Sequence, residues 1–269
     1  MDSQPIISRG LIVENRSLSA DSYLMSVDCP ELAGRAGPGQ FVKVRTWAEA
    51  AEGGAPLLDR PFSIHQSDGR HFQLLYRVLG PATRLMSSAA PGRAIKVSGP
   101  LGRGLADVLP APQDMYLVGG GIGLAPMALV LGWLGPERAA TLFYGERSGA
   151  AQVEEKWLRS WAAELICTVE DGGGYGGRKG RVTGPLEEAL AQVPRPVFAC
   201  GPLPMLAAVS ELCARYQAKA WVSLEALMAC GFGVCLTCSL PLKNGGRFRV
   251  CREGPVLDGS TVDWGRLCS

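Results

Sequence analysis

Between residues 6 and 100 the chain carries short apolar or alternating runs at 6–13, 22–27, 40–45, 61–64, 72–78 and 94–98. Several are rich in β-formers. Turn residues such as Ala36-Gly37-Pro38-Gly39 separate them. Many short strands at modest spacing predict a small antiparallel barrel. The Ala/Gly/Glu stretch 47–56 is expected as a surface loop.

The pattern changes after residue 104. Apolar runs of four or five residues stand at 115–118, 140–144, 165–169, 197–200 and 220–222. Each of the first four precedes a Gly-containing turn and a helical stretch: 124–134, 152–163, 185–192 and 203–216. In the last of these, Leu206, Val209, Leu212, Cys213 and Tyr216 share one face. Strand–helix alternation predicts a parallel, doubly wound α/β sheet. Residues 223–269 are dense in Cys and Gly with few periodic runs. They read as a small module held together by something other than a core. The expected organisation is multidomain: 1–104, 105–222 and 223–269.

Composition narrows the classes. Formal net charge is +2 and no basic block occurs, which argues against a nucleic-acid binder. The longest apolar-looking stretch, 124–135, contains Gly132. It falls short of the ~20 residues of a spanning helix, so no membrane role is expected. The start, MDSQPIISRG, shows no apolar signal region. A cytoplasmic chain is the expectation. Gly is 35 of 269 residues, well above the usual ~7%. There are nine Cys. In a cytosolic chain clustered Cys more often means metal or redox chemistry than disulfides.

Four of the Cys form a cluster. Cys230, Cys235, Cys238 and Cys251 are spaced C-x4-C-x2-C-x12-C. That is the plant-type [2Fe-2S] spacing. Gly231 and Gly233 let backbone N–H groups turn toward sulfur, and Asn244-Gly245-Gly246 signals a hairpin that returns Cys251 to the others. A structural zinc site or four inert thiols are the alternatives. Zinc sites favour paired C-x2-C units, and one such unit exists here. Cys29, Cys167, Cys213 and Cys268 are expected as small buried hydrophobes, and Cys200 is the exception, because it closes a strand at the active edge of the sheet. His65 and His71 are expected at surface or hairpin positions.

Val118-Gly119-Gly120-Gly121-Ile122-Gly123 follows a strand and opens a helix. Such a turn lets backbone approach a pyrophosphate, although Pro126 stands where the third fingerprint Gly would fall. A plain tight turn is the alternative. Glu146 follows the second parallel strand, where an acid can bond the ribose 2′-OH of NAD. The adjacent Arg147 could favour a 2′-phosphate, and either residue could be a solvated surface charge.

Three further segments occur in order: Arg60-Pro61-Phe62-Ser63, Tyr76-Arg77-Val78-Leu79-Gly80-Pro81-Ala82-Thr83, and Gly99-Pro100-Leu101-Gly102-Arg103-Gly104. With Cys200-Gly201-Pro202, they resemble the ferredoxin–NADP reductase superfamily over essentially the whole chain. Ser223-Leu224-Glu225, Met228-Ala229-Cys230-Gly231 and Cys251-Arg252-Glu253-Gly254-Pro255-Val256 narrow the resemblance. They are similar to the iron–sulfur flavoprotein subunit of NAD-dependent (type B) dihydroorotate dehydrogenases. The resemblance implies an FAD-binding barrel, an NAD-binding sheet and a [2Fe-2S] module. Arg60, Pro61, Phe62 and Ser63 would bind FAD, the Arg at the pyrophosphate and the Ser hydroxyl near flavin N5. Leu75, Tyr76 and Arg77 would line the same cofactor, with Ala82 and Thr83 at its phosphates. Gly121 and Gly123 would meet the dinucleotide, and Cys200 and Gly201 would sit beside the nicotinamide.

The implied partner is an FMN-containing catalytic subunit that oxidises dihydroorotate, in a two-plus-two heterotetramer. Electrons would run from FMN through [2Fe-2S] and FAD to NAD+. Two alternatives stay open. One is a sister electron-transfer subunit of a cytosolic hydrogenase or an electron-bifurcating ferredoxin–NADP transhydrogenase. The other is a non-enzymatic, metal-stabilised binding protein.

Overall fold

The computed structural model describes residues 5–47, 56–162, 164–176 and 178–268. The middle of the expected surface loop, residues 48–55, lies outside the described residues. The first sheet contains β1 (Ile6–Ser17), β2 (Ser22–Asp28), β3 (Phe41–Arg45), β4 (Arg60–Ser63), β5 (Gln66–Ser67), β6 (His71–Arg77) and β7 (Ala94–Leu101). Its order is β4-β3-β7-β1-β2-β6-β5, with every pairing antiparallel. Ile12, Val27, Val42, Phe72, Leu74 and Val97 fill its inner face. After β4, Ile64 N donates to Gln40 O at 3.1 Å and His65 N to Gln73 O at 2.8 Å. The chain there touches both flanks, so the sheet curls toward a barrel. β1 runs past its apolar part because a bulge between Ile12 and Glu14 keeps its polar end paired with β2.

Two short helices, α1 (Pro30–Ala33) and α2 (Pro81–Ser87), interrupt the strand pattern. Neither has a periodic signal of its own. α2 starts on Pro81, and Thr83 Oγ1 accepts from Leu79 N at 2.9 Å and Gly80 N at 3.1 Å. Its start is therefore fixed by Pro and a side-chain acceptor.

The second sheet contains β8 (Met115–Gly120), β9 (Ala140–Glu146), β10 (Glu164–Val169), β11 (Arg178–Lys179), β12 (Val197–Cys200) and β13 (Ala220–Ser223). All six are parallel. Every residue of β8 is buried, as a central strand covered on both faces requires. The helices are α3 (Met127–Leu134), α4 (Glu155–Arg159), α5 (Thr183–Gln192) and α6 (Leu203–Arg215). α4 is shorter than the expected 152–163. Gln152 is extended and its side-chain amide brackets the Tyr175 backbone, accepting from N at 3.0 Å and donating to O at 3.3 Å.

In the final segment β14 (Ser239–Pro241) and β15 (Arg247–Arg249) form the expected hairpin about Gly245, which has φ +81°. β16 (Val256–Asp258) then adds to β13 antiparallel, with Val222 opposite Leu257. The order is β11-β10-β9-β8-β12-β13-β16. The sheet is thus mixed at this edge, where a wholly parallel one was expected. Burial of Val256 and Leu257 drives the addition. α7 (Trp264–Leu267) packs against the core cluster that holds Val222 and Leu257. No helix among the described residues is long and apolar enough to cross a membrane.

Candidate functional site

A cleft of about 410 Å³ opens where the two sheets meet. That is within the ~300–1,000 Å³ range of cofactor sites. Arg60, Pro61, Phe62 and Ser63 line it from β4, and Leu75, Tyr76 and Arg77 from β6. Gly80, Pro81, Ala82 and Thr83 line it from the start of α2, whose first N–H groups lack intrahelical acceptors. All nine residues expected at a flavin therefore share one cleft. Arg60 Nη1 donates to Leu58 O at 2.9 Å, and among the described residues the other donors of its guanidinium remain for an anion. The Tyr76 hydroxyl is tied to Asn15 Oδ1 at 2.9 Å, its ring stacks on Tyr23, and Phe62 packs edge-on against it. Burial raises the Tyr76 pKa, so its ring is an apolar wall rather than an acid.

The Gly-rich turn contributes Ile122 and Ala125 to this cleft. The turn lies at the C-terminal ends of β8 and β12, where the strand order reverses. Ligands of doubly wound sheets bind at such a switch point. A Cβ on Gly123 would lie 2.1 Å from the Cys200 carbonyl oxygen and 2.6 Å from Gly201 N, so Gly is required for turn and strand to meet. Cys200 is buried behind the cleft, paired in register with Ser223 and Gly119. Burial, then the Glu225 charge, raises its pKa and keeps it a neutral thiol.

Glu146 differs from its expected place at a ribose. Its side chain is 3% exposed, Arg77 Nη2 donates to it at 2.5 Å, and the Tyr144 hydroxyl donates at 3.2 Å. Burial lifts the Glu146 carboxyl pKa, and Arg77 offsets part of that lift. The reason is position: β9 ends under the first sheet, where β6 presents Arg77. His65 also departs from its expected surface place. It is 0% exposed, donates from Nδ1 to Ala125 O at 2.8 Å, and packs between Trp157 and Trp161. Burial lowers its pKa to about 4. His71 does sit at a hairpin, 3.0 Å from Asp68 Oδ2.

The four clustered Cys come together as two pairs. Cys238 Sγ lies 3.2 Å from Cys251 Sγ, and Gly233 N donates to Cys251 Sγ at 3.1 Å. Cys230 and Cys235 form the other pair, with Phe232 N donating to Cys230 Sγ at 3.4 Å. The Thr237 hydroxyl and backbone N–H groups lower the exposed Cys235 thiol to about 6. Burial raises Cys251 to about 12. Among the described residues no three such ligands converge on one point, as a single-ion site requires. Of the other Cys, Cys29, Cys167 and Cys213 are buried as expected, Cys200 is buried too, and Cys268 is exposed.

The profile described as the iron-sulfur cluster binding domain of dihydroorotate dehydrogenase B matches residues 225–263. An electron transfer subunit of dihydroorotate dehydrogenase B (NAD(+)) from Desulforamulus reducens is 33% identical over 254 residues, 92% of this chain and 94% of the relative. The corresponding subunit from Geobacillus thermodenitrificans is 35% identical over 263 residues, 94% of this chain and 97% of the relative. The chain belongs to the family of dihydroorotate dehydrogenase B electron transfer subunits. The fold is shared more widely. A solved NADH-dependent reduced ferredoxin–NADP oxidoreductase chain, 23% identical, superposes with TM-score 0.81 over 100% of this chain and 93% of its own. The cytochrome b5 reductase domain of Ulva prolifera nitrate reductase, 18% identical, gives 0.62 over 79% and 93%.

In this member of the dihydroorotate dehydrogenase B family, the final segment does more than hold Cys. Ser223, Leu224, Glu225, Ala226, Met228 and Pro255 line the cleft as well. Composition alone assigns these residues to the Cys module. The signal for their second role is the Ser223-Leu224-Glu225 run itself, which directly follows the fifth apolar strand. Residues 223–230 thus pass from the cleft to the first Cys in one short stretch.

Proposed function

We propose that the chain carries electrons to NAD+ from an FMN-containing subunit that oxidises dihydroorotate to orotate, in the cytoplasm. The overall balance is dihydroorotate plus NAD+ giving orotate, NADH and a proton. The observation that carries this reading is the direct link from cleft to Cys pairs through residues 223–230. The cleft suits FAD: Arg60 and the start of α2 offer donors for phosphates, and Phe62, Leu75 and Tyr76 offer an apolar wall for a flat ring. Ser63 would place its hydroxyl at the ring, and Gly121, Gly123, Cys200 and Gly201 would hold NAD at the switch point beside it.

Two pairs of thiols suit two irons with two protein ligands each, so Cys230 with Cys235 and Cys238 with Cys251 would hold a [2Fe-2S] cluster. FAD exchanges hydride with nicotinamide and single electrons with a cluster, which is the chemistry this order needs. The chain's own residues position these groups and exclude water between them. A two-plus-two assembly with the catalytic subunit is part of the proposal.

Native mass spectrometry of the purified complex tests it. The expected result is an FMN-bearing partner, with FAD and two irons per copy of this chain. The isolated chain should reduce dyes with NADH but leave dihydroorotate untouched. Dihydroorotate oxidation by the chain alone, or stoichiometric zinc in place of iron, overturns the proposal.

A further inference from the structure

Lys43 lies in the middle of β3, between the buried Val42 and Val44, and is 5% exposed. Its register partner on β4 is Pro61, a residue of the cleft. Its side chain reaches to the Cys loop, where Nζ donates to Ala229 O and, at 3.3 Å, to Cys230 O. Gly231 leaves room for it: a Cβ there would lie 2.6 Å from Lys43 Cδ. Among the described residues no carboxylate is within ion-pairing distance of this ammonium. Asp59, just before β4, interacts with Lys43 only at longer range and is held by Arg45 at 2.5 Å and Lys96 at 3.5 Å.

A buried ammonium facing carbonyls alone is costly unless negative charge stands close by. Negative charge reaches Lys43 from Asp59, which Arg45 and Lys96 already share, and from the Cys230 and Cys235 thiols. Arg249 also approaches the loop, donating to Gly233 O at 3.1 Å, but Glu253 neutralises it at 2.7 Å. Lys43 differs in having no such partner.

We infer that Lys43 is a positioning residue that clamps the Cys loop to the first sheet and stabilises the more negative, reduced state of the group the Cys hold. This rests on the iron–sulfur reading proposed above. Two consequences are separable. The hydrogen bonds to Ala229 O and Cys230 O fix the loop beside the cleft. The positive charge favours the added electron, because Coulomb energy in a partly dry site is large and of fixed sign.

The test uses the intact holo chain with FAD bound, as wild type and as Lys43→Gln, Lys43→Met and Lys43→Arg. Iron and sulfide content comes first. Absence of both from the wild type would overturn the iron–sulfur reading, independently of Lys43. The second readout is the ratio of reduced to oxidised cluster, from its EPR signal at fixed mediator potential. K43Q keeps donors for the carbonyls but not the charge. We expect its ratio, at wild-type iron content, to fall about tenfold, with the FAD midpoint unmoved and K43R near wild type. K43M should show the same fall and also lose iron on dilution. A K43Q ratio equal to wild type, or an equal shift of FAD and cluster, overturns the inference. Should K43Q assemble no cluster, K43R decides: a wild-type ratio supports the role of charge, and a tenfold fall despite the retained charge overturns it.

Discussion

Arg77 and Glu146 form an ion pair, Nη2 to Oε1 at 2.5 Å, that joins the two sheets beneath the Gly-rich turn. A Cβ on Gly121 would lie 3.4 Å from Arg77 Nη1 and 3.7 Å from Glu146 Oε1, so the turn rests directly on the pair. Asp21 adds a second carboxylate to Arg77 at 3.2 Å. Each residue read alone suggests a cofactor contact. Together they are an interdomain fastening.

Glu146→Gln should therefore lower stability without altering cofactor choice. It removes the closer of two carboxylates from Arg77 and leaves Asp21, which costs about 2 kcal/mol. The ratio of kcat/KM for NADH to that for NADPH should stay within about twofold of wild type, since a buried carboxylate gives no discrimination between ribose groups. Thermal denaturation and the two kinetic constants check this. A collapse of NADH preference with unchanged Tm would place Glu146 at the ribose after all.

His65 predicts an acid-side loss of stability. The unfolded chain takes up this proton at the ordinary value of 6.5, the folded chain only at about 4. The unfolded state then binds more protons between these values. The contribution is complete above about pH 6.5 and is lost as pH falls toward 4, a span of about 3 kcal/mol. Urea midpoints measured across this window should slope steeply for wild type. His65→Gln should be less stable at neutral pH, through lost packing on Trp157 and Trp161, and should show a flatter slope. Parallel slopes would assign the effect to other groups.

Much of this architecture was legible because its signals are local. β8 announces itself as an apolar run closed by Gly, and the Cys spacing needs only one loop and one hairpin. The Arg60–Ser63 segment and the start of α2 were expected at one cofactor, and they do line one cleft. What escaped was set by the meeting of distant elements. Periodicity cannot show that Glu146 faces Arg77, or that His65 lies between two Trp, since both depend on how the sheets dock. β16 has three residues, too few for a period, and joins β13 across 32 intervening positions, residues 224–255. α2 is marked by a Pro and a Thr cap rather than by an apolar stripe.

The Gly-rich turn offers a paired test. Gly123→Ala places a Cβ against the backbone of Cys200 and Gly201, which cannot yield as a flexible side chain would. The turn must move, and NADH affinity should fall by about tenfold or more, with FAD content retained. Gly132 in α3 is the control: nothing lies within 4 Å of the position its methyl group would take. Gly132→Ala should be neutral or stabilise by up to about 1 kcal/mol. Equal NADH affinity in both variants would reduce the turn to a structural bend.

The Cys pairs predict a pattern of iron loss that a random set of thiols would not give. Cys251 is buried and receives Gly233 N–H, whereas Cys235 is exposed, yet both belong to the proposed ligand set. Cys235→Ser and Cys251→Ser should each cut iron below about half of wild type, because metal sites tolerate loss of a thiolate poorly. FAD should stay bound in both, since neither residue lines the cleft. Cys268→Ser, at an exposed position far along the chain from the hairpin, should keep its iron. Cys200→Ser should keep iron too but slow NADH oxidation, since that thiol sits behind the switch point rather than in the loop. Iron retained in C235S and C251S alike would leave the pairing without a metal to explain it.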